Sequence, residues 1–310
     1  MTHPFRFAAQ LSKAASAKDW AEQARRAEDL GYSTLTMPDH FGDQLAPVPA
    51  MMAAADATTT LRIGTLVFDN DYKHPLVLAK EAATLDLLSD GRLELGLGAG
   101  WMRTDYEQAG LPYDPPAVRV DRFVEGIHVI KGLMADGPFD FSGQHYTIRG
   151  HDGRPKPVQR PHPPIIIGGG GRRVLSIAAR EADIVSVNAN LRDGLGGAET
   201  APNIVPDMTS RKVAWVREAA GDRFDDIELS VTIFFAAISE NPAELAEAVG
   251  GGFGLPAEAV LQTPHFLVGS VDEMVETLQQ RREEYGFSYV VFSGGSDESM
   301  APVVAKLAGT

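Results

Sequence analysis

A chain of 310 residues with 44% hydrophobic and 23% charged residues has enough apolar material for a large core and is ordinary for a globular protein. Its net charge of −14, with no basic block, argues against nucleic acid as a partner. The absence of cysteine excludes disulfides, a thiolate nucleophile and any cysteine-ligated metal. No run reaches the roughly 18 apolar residues of a membrane span, and the opening MTHPFRFAAQ has no apolar leader, so a cytoplasmic location without a membrane partner is expected.

Residues 5–10 alternate weakly and read as a first strand. Trp20, Ala24, Ala27 and Leu30 stand at helical spacing over 19–30, and Gly31 ends that helix. A second strand at 33–37 is closed by Pro38, a helix rich in Ala and Met covers 48–59, and a third strand covers 61–68. Proline in the first turn opens a helix at 75–88. The fourth strand, 92–97, runs into Gly98, Ala99, Gly100 and Trp101. A short helix follows at 103–109, then a longer one at 117–134 with Val120, Phe123, Ile127 and Ile130 on one face. Residues 139–148 read as a hairpin turning at Ser-Gly, and 150–164 as an extended connector.

Strand 165–167 then meets four glycines, Gly168 to Gly171, ahead of Arg172, Arg173 and a helix at 174–181. Strand 183–187 leads into 189–205, an aperiodic segment expected to act as a mobile lid. A helix at 206–220, a long strand at 228–238 and two short helices around Gly250, Gly251 and Gly252 within 241–263 come next. Helix 271–285, strand 288–292 and helix 297–307 finish the chain. Strands alternating with helices imply a parallel sheet, and eight such units predict one closed α/β domain over 1–310. This is a (β/α)8 TIM barrel, with insertions near 101–164, 189–205 and 241–263.

In such barrels the active site lies at the C-terminal strand ends. At the second end, Asp39 and His40 place a carboxylate beside the side chain best suited to move protons near neutral pH. A capping Asp39 and a merely packed His40 are the plain alternative. At the third, Leu66 and Val67 either back a flat ligand or belong to the core. At the fourth, the glycines permit close backbone approach and Trp101 can stack on a ligand. At the fifth, glycines feeding a helix start with two arginines suggest a seat for phosphate, against a ligand-free tight turn. The eight histidines show no metal-ligand spacing, so no metal site is expected, and neither a P-loop nor a GxSxG elbow is present.

Read in order, PDHF at 38–41, IGTLV at 63–67, His74-Pro75, LSDGR at 88–92, GLGAGW at 96–101, IIIGGG at 165–170, Ala182-Asp183 and FLVGS at 266–270 resemble the bacterial luciferase-like monooxygenase superfamily. Within it, the resemblance is to the branch using the deazaflavin coenzyme F420. It implies a cofactor at the barrel mouth, with a third-strand bulge and non-prolyl cis peptide at Leu66 and Val67 behind its ring. Ala99, Gly100 and Trp101 would form one wall, and Gly169, Gly170 and Gly171 the phosphate side. His40 would be the proton donor or acceptor, with Asp39 orienting it. Two departures from the branch's sugar-phosphate dehydrogenases argue against that substrate: Trp101 stands where they carry an acid, and Gln44 lies near where they carry a tryptophan. The activity implied is hydride transfer between F420 and a small organic substrate by a homodimer. Rival readings are a two-component monooxygenase using FMN, a non-redox sugar-phosphate enzyme, and a deazaflavin-binding protein without turnover.

Overall fold

A computed structural model describes residues 3–191, 194 and 198–310. The buried β1 (Arg6–Gln10) leads to α1 (Ala17–Asp29), whose first turn is capped by the Ser16 side chain accepting from the Asp19 N–H. After β2 (Thr34–Met37) and α2 (Pro47–Ala57), the third strand is broken into β3 (Arg62–Thr65) and β4 (Phe68–Asp69). The Leu66–Val67 peptide between them is cis. Next come α3 (Pro75–Leu88), β5 (Leu93–Gly98), α4 (Arg103–Ala109) and α5 (Pro116–Met134). The hairpin of β6 (Phe139–Ser142) and β7 (Thr147–His151) lies outside the main sheet.

The barrel continues with β8 (Ile165–Gly169), α6 (Arg172–Glu181) and β9 (Ile184–Val187). A 3-10 helix at Ala198–Asn203 precedes α7 (Pro206–Ala220). Of the expected lid at 189–205, residues 192, 193 and 195–197 lie outside the described residues. The long strand expected at 228–238 is two strands, β10 (Glu228–Ile233) and β11 (Phe235–Ile238). After α8 (Pro242–Phe253) and α9 (Ala257–Gln262), β11 pairs with β12 (Phe266–Gly269) in a sheet of its own. Helix α10 (Val271–Tyr285), β13 (Phe287–Phe292) and α11 (Asp297–Leu307) close the chain.

Among the described residues, eight parallel strands close in the order β1, β2, β3 with β4, β5, β8, β9, β10, β13. Ile63 faces Leu93 and Gly64 faces Glu94 at one seam, while Arg6 faces Tyr289 at another. Gly250 to Gly252, expected at a helix break, lie inside α8. There Gly250 lets the helix close on the following loop, since a Cβ would stand 2.3 Å from the Leu255 carbonyl oxygen. The helix ends instead at Gly254, where φ is +67°. No helix of the described residues is long and apolar enough to cross a membrane.

The N-terminal strand ends carry charge rather than more apolar packing. Arg6 reaches Glu94 (2.5 Å) and Glu228 (2.6 Å), and Arg62 reaches Glu94 (2.8 Å). The Tyr289 hydroxyl donates to Glu94 Oε2 at 3.0 Å, and the Arg6 guanidinium lies 3.7 Å over the Tyr289 ring. Glu94 is 1% exposed, so the hub of this network is buried in the barrel floor while its arginines reach towards solvent.

Candidate active site

The opposite end gathers the groups able to do chemistry. Strand β2 stops at Pro38, and the chain delivers Asp39 and His40 to the rim, both half-buried. Gln44 ties this turn down by donating to the Pro38 carbonyl at 2.9 Å. Asp39 does not meet its neighbour: its Oδ2 accepts the backbone N–H of Asp69 on β4 at 3.2 Å. The carboxylate that meets His40 belongs to Asp105 on α4, with Oδ2 2.7 Å from Nδ1. The contact with the imidazole expected of Asp39 is thus made by Asp105, while Asp39 is bonded to the β4 backbone. Tyr72 donates its hydroxyl to the same Asp105 oxygen at 2.9 Å. Trp101 stands edge-on to His40, ring centres 5.6 Å apart and planes at 90°.

Behind this layer lies a second acidic group. The Tyr106 hydroxyl is 3.1 and 3.0 Å from the two Asp69 oxygens and 3.1 Å from Asp71 Oδ2, and Arg122 clamps Asp71 at 2.7 and 2.8 Å. One hydroxyl proton thus faces three carboxylate oxygens. Burial, reinforced by the Asp71 and Asp39 charges, pushes the Asp69 carboxyl up to about 7, against the opposing hydrogen bonds from the Asp71 N–H and Tyr106. Burial also raises Asp39. An acid held neutral in the fold adds stability that is complete below its unfolded value near 4 and is lost as pH rises towards 7. Asp69→Asn should flatten the fall in stability across that window. Denaturant midpoints measured at several pH values check this, and an unchanged slope would remove Asp69 as its source.

The glycine walls are shaped first by the protein. Gly100 has φ +74°, and a Cβ on it would sit 1.9 Å from the Tyr106 hydroxyl. A Cβ on Gly170 would meet the Ala189 carbonyl carbon at 2.3 Å, so this glycine admits the strand end after β9. At Gly171, by contrast, the nearest atom is 3.7 Å away, and the α6 helix that starts there has no side-chain cap. Gly169 packs against Val174, whereas Gly168 has ordinary space beside Asn188 and Val67. Ala99 packs partly buried on the core. Leu66 and Val67 are half-buried at the bulge. Arg172 and Arg173 turn outward to Glu218 (3.0 Å) and Asp121 (2.5 Å), so they pair with neighbouring helices rather than the glycine turn.

A model of luciferase-like monooxygenases matches residues 1–305. The chain belongs to the luciferase-like monooxygenase family. This luciferase-like protein is 31% identical over 139 residues to an FMNH(2)-dependent dimethylsulfone monooxygenase of Pseudomonas putida, covering 45% of this chain and 38% of the relative. It is 30% identical over 177 residues to an F420-dependent glucose-6-phosphate dehydrogenase of Amycolatopsis mediterranei, covering 54% and 52%. The chain thus spans about half or less of the length of these curated relatives. Its fold superposes on the coenzyme F420 dependent tetrahydromethanopterin reductase from Methanopyrus kandleri with a TM-score of 0.77 at 21% identity, over 99% of both chains. Long-chain alkane monooxygenase (LadA) gives 0.77 at 16% identity, over 99% of this chain and 92% of that one.

The mouth of this luciferase-like barrel suits a flat, anionic cofactor on three observations. Asn188 Oδ1, beside Gly168, is buried without a hydrogen-bond partner and can accept an N–H. At Gly171 the nearest atoms are those of the Asn190 side chain at 3.7–3.9 Å, beside a helix start whose N-cap glycine makes no side-chain cap. Arg119 on α5, 2% exposed, has Nε and Nη1 without partners, its guanidinium 4.1 Å over the Tyr113 ring. The Tyr113 hydroxyl in turn holds the Trp101 carbonyl at 3.0 Å. Asp105, Tyr72, Asp69, Tyr106 and Asn188 stand at this end of the barrel without sequence reasoning having singled them out. Asp69 and Asp71 carried a signal, two acids at one strand end. Asp105 and Tyr72 carried none, because their meaning lies in what they face.

Proposed function

We propose that this protein is an oxidoreductase that exchanges hydride between coenzyme F420 and a small unsaturated or carbonyl-bearing organic molecule. The observation that carries the reading is His40, half-buried at the mouth between the Asp105 carboxylate and the Trp101 ring. Leu66 and Val67 would back the ring, with Ala99, Gly100 and Trp101 on one side and Gly169, Gly170 and Gly171 towards the phosphate. The deazaflavin, when bound, supplies or accepts hydride at its ring carbon C5. His40 gives or takes the accompanying proton at Nε2, so that hydride and proton together complete a two-electron change in the substrate. Asp39 holds β4 against the rim, which keeps the Leu66–Val67 bulge in place. Trp101 leaves no acid at its position to donate a proton, which argues against sugar-phosphate oxidation.

The second reading, an FMN-dependent monooxygenase, is favoured by the similarity to the dimethylsulfone enzyme. Titrating the purified protein with F420 and FMN side by side, followed by fluorescence, separates the two. F420 is expected to bind at least about tenfold more tightly, a difference of about 1.4 kcal/mol. Tight FMN binding with no response to F420, together with substrate-dependent oxygen uptake, would overturn the first reading. F420 binding without hydride exchange across a substrate panel would leave a carrier protein.

A further inference from the structure

A histidine serves proton transfer only if the correct ring nitrogen faces the substrate, and its sequence neighbour does not arrange this. Asp39 is occupied by the Asp69 backbone. The group in contact with Nδ1 is Asp105, 65 positions away on α4, in the insertion between β5 and β8. Asp105 is itself held: its Oδ2 accepts from the Tyr72 hydroxyl at 2.9 Å, and the residue is 5% exposed. An ionised carboxylate only accepts hydrogen bonds, so the nitrogen it touches must carry the proton. Trp101, edge-on at 5.6 Å, confines the ring from another side.

We propose that Asp105 is the positioning residue of the site, fixing neutral His40 as the Nδ1–H tautomer with the Nε2 lone pair free, and that Tyr72 holds Asp105 for this task. The proposal rests on the reading of His40 as the proton-transfer group. The insertion between β5 and β8 thereby becomes part of the proton machinery as well as a wall of the mouth. Nothing in the local sequence around His40 supplies this contact, because Pro38 and Gln44 fix only the path of the turn.

The test reads the tautomer directly in the cofactor-free protein, by nitrogen NMR of histidine-labelled protein above the titration range of histidine. The His40 signals are assigned by their loss in His40→Gln. Wild type should show protonated Nδ1 and bare Nε2. Asp105→Ala should shift His40 to the Nε2–H form favoured in water, and Asp105→Glu should restore Nδ1–H. Turnover should fall about 10²-fold or more in Asp105→Ala, mainly in kcat, as for a general base held in the wrong tautomer. A wild-type His40 already in the Nε2–H form would overturn the proposal even if Asp105→Ala failed to fold. An Asp105→Ala protein that kept Nδ1–H would overturn it equally. Because this spectrum needs no cofactor, a failed F420 titration would sink the functional reading and leave the tautomer result standing.

Discussion

Glu94→Gln should lower the free energy of unfolding by about 3 kcal/mol, the low end of the range for removing one partner of a buried ion pair, because the arginines left behind keep some contact with water. Glu94 is the hub of the barrel floor: Arg6, Arg62 and the Tyr289 hydroxyl all converge on its carboxylate. With glutamine there, Arg6 keeps only Glu228 as a counter-charge. Arg62 keeps only uncharged partners, among them the Leu93 carbonyl at 3.0 Å and Gln159 at 3.0 Å. Two guanidinium groups, on side chains 22% and 28% exposed, would then be short of negative charge around a buried amide. Urea denaturation of both proteins measures the difference. Lys13→Gln is the control, because the Lys13–Asp43 pair at 2.8 Å stands in solvent, where screening leaves little to lose. A Glu94→Gln protein no less stable than that control would mean that the floor is held by packing alone.

His40→Ala should reduce turnover by about 10²–10⁴-fold, the usual contribution of a positioned acid or base. Cofactor affinity should change less than turnover, since Trp101 alone of the proposed cofactor walls packs on the imidazole. The loss should therefore appear in kcat, measured with any aldehyde, ketone or enone that the wild-type protein turns over. Full turnover in His40→Ala would remove the proton-transfer assignment while leaving the barrel and its cofactor walls untouched. Parallel measurement of Asp69→Asn is informative, because burial pushes that acid up to about 7. If activity vanished in Asp69→Asn and survived in His40→Ala, the proton would enter from the Tyr106 side of the mouth.

Much of the architecture was written locally. Pro75, with proline at its first turn, opens α3 where expected, and α3 ends where expected at Leu88. The Ser270–Glu273 capping box opens α10 and a left-handed Gly286 ends it. Buried β-branched runs such as Ile165 to Ile167 make the barrel staves. These signals act within a few residues, so they survive translation from sequence to structure. The closed barrel followed from their alternation, and the placement of Asp39, His40 and the glycine turns at strand ends followed from the barrel.

What needed the folded chain was every relation across it. The break at Phe234 was invisible because it depends on β11 leaving the barrel to pair with β12, a contact between residues some thirty positions apart. The outward turn of Arg172 and Arg173 was invisible because their carboxylates come from α7 and α5. Adjacency suggested Asp39 as the partner of His40, yet a rim turn points successive side chains in different directions and leaves Asp39 to the β4 backbone. By itself the sequence determined the family pattern, the barrel and the candidate histidine, all carried by short-range spacing. Only the tertiary structure decided that Asp105, delivered by α4, holds that histidine, because a hydrogen bond depends on distance in space.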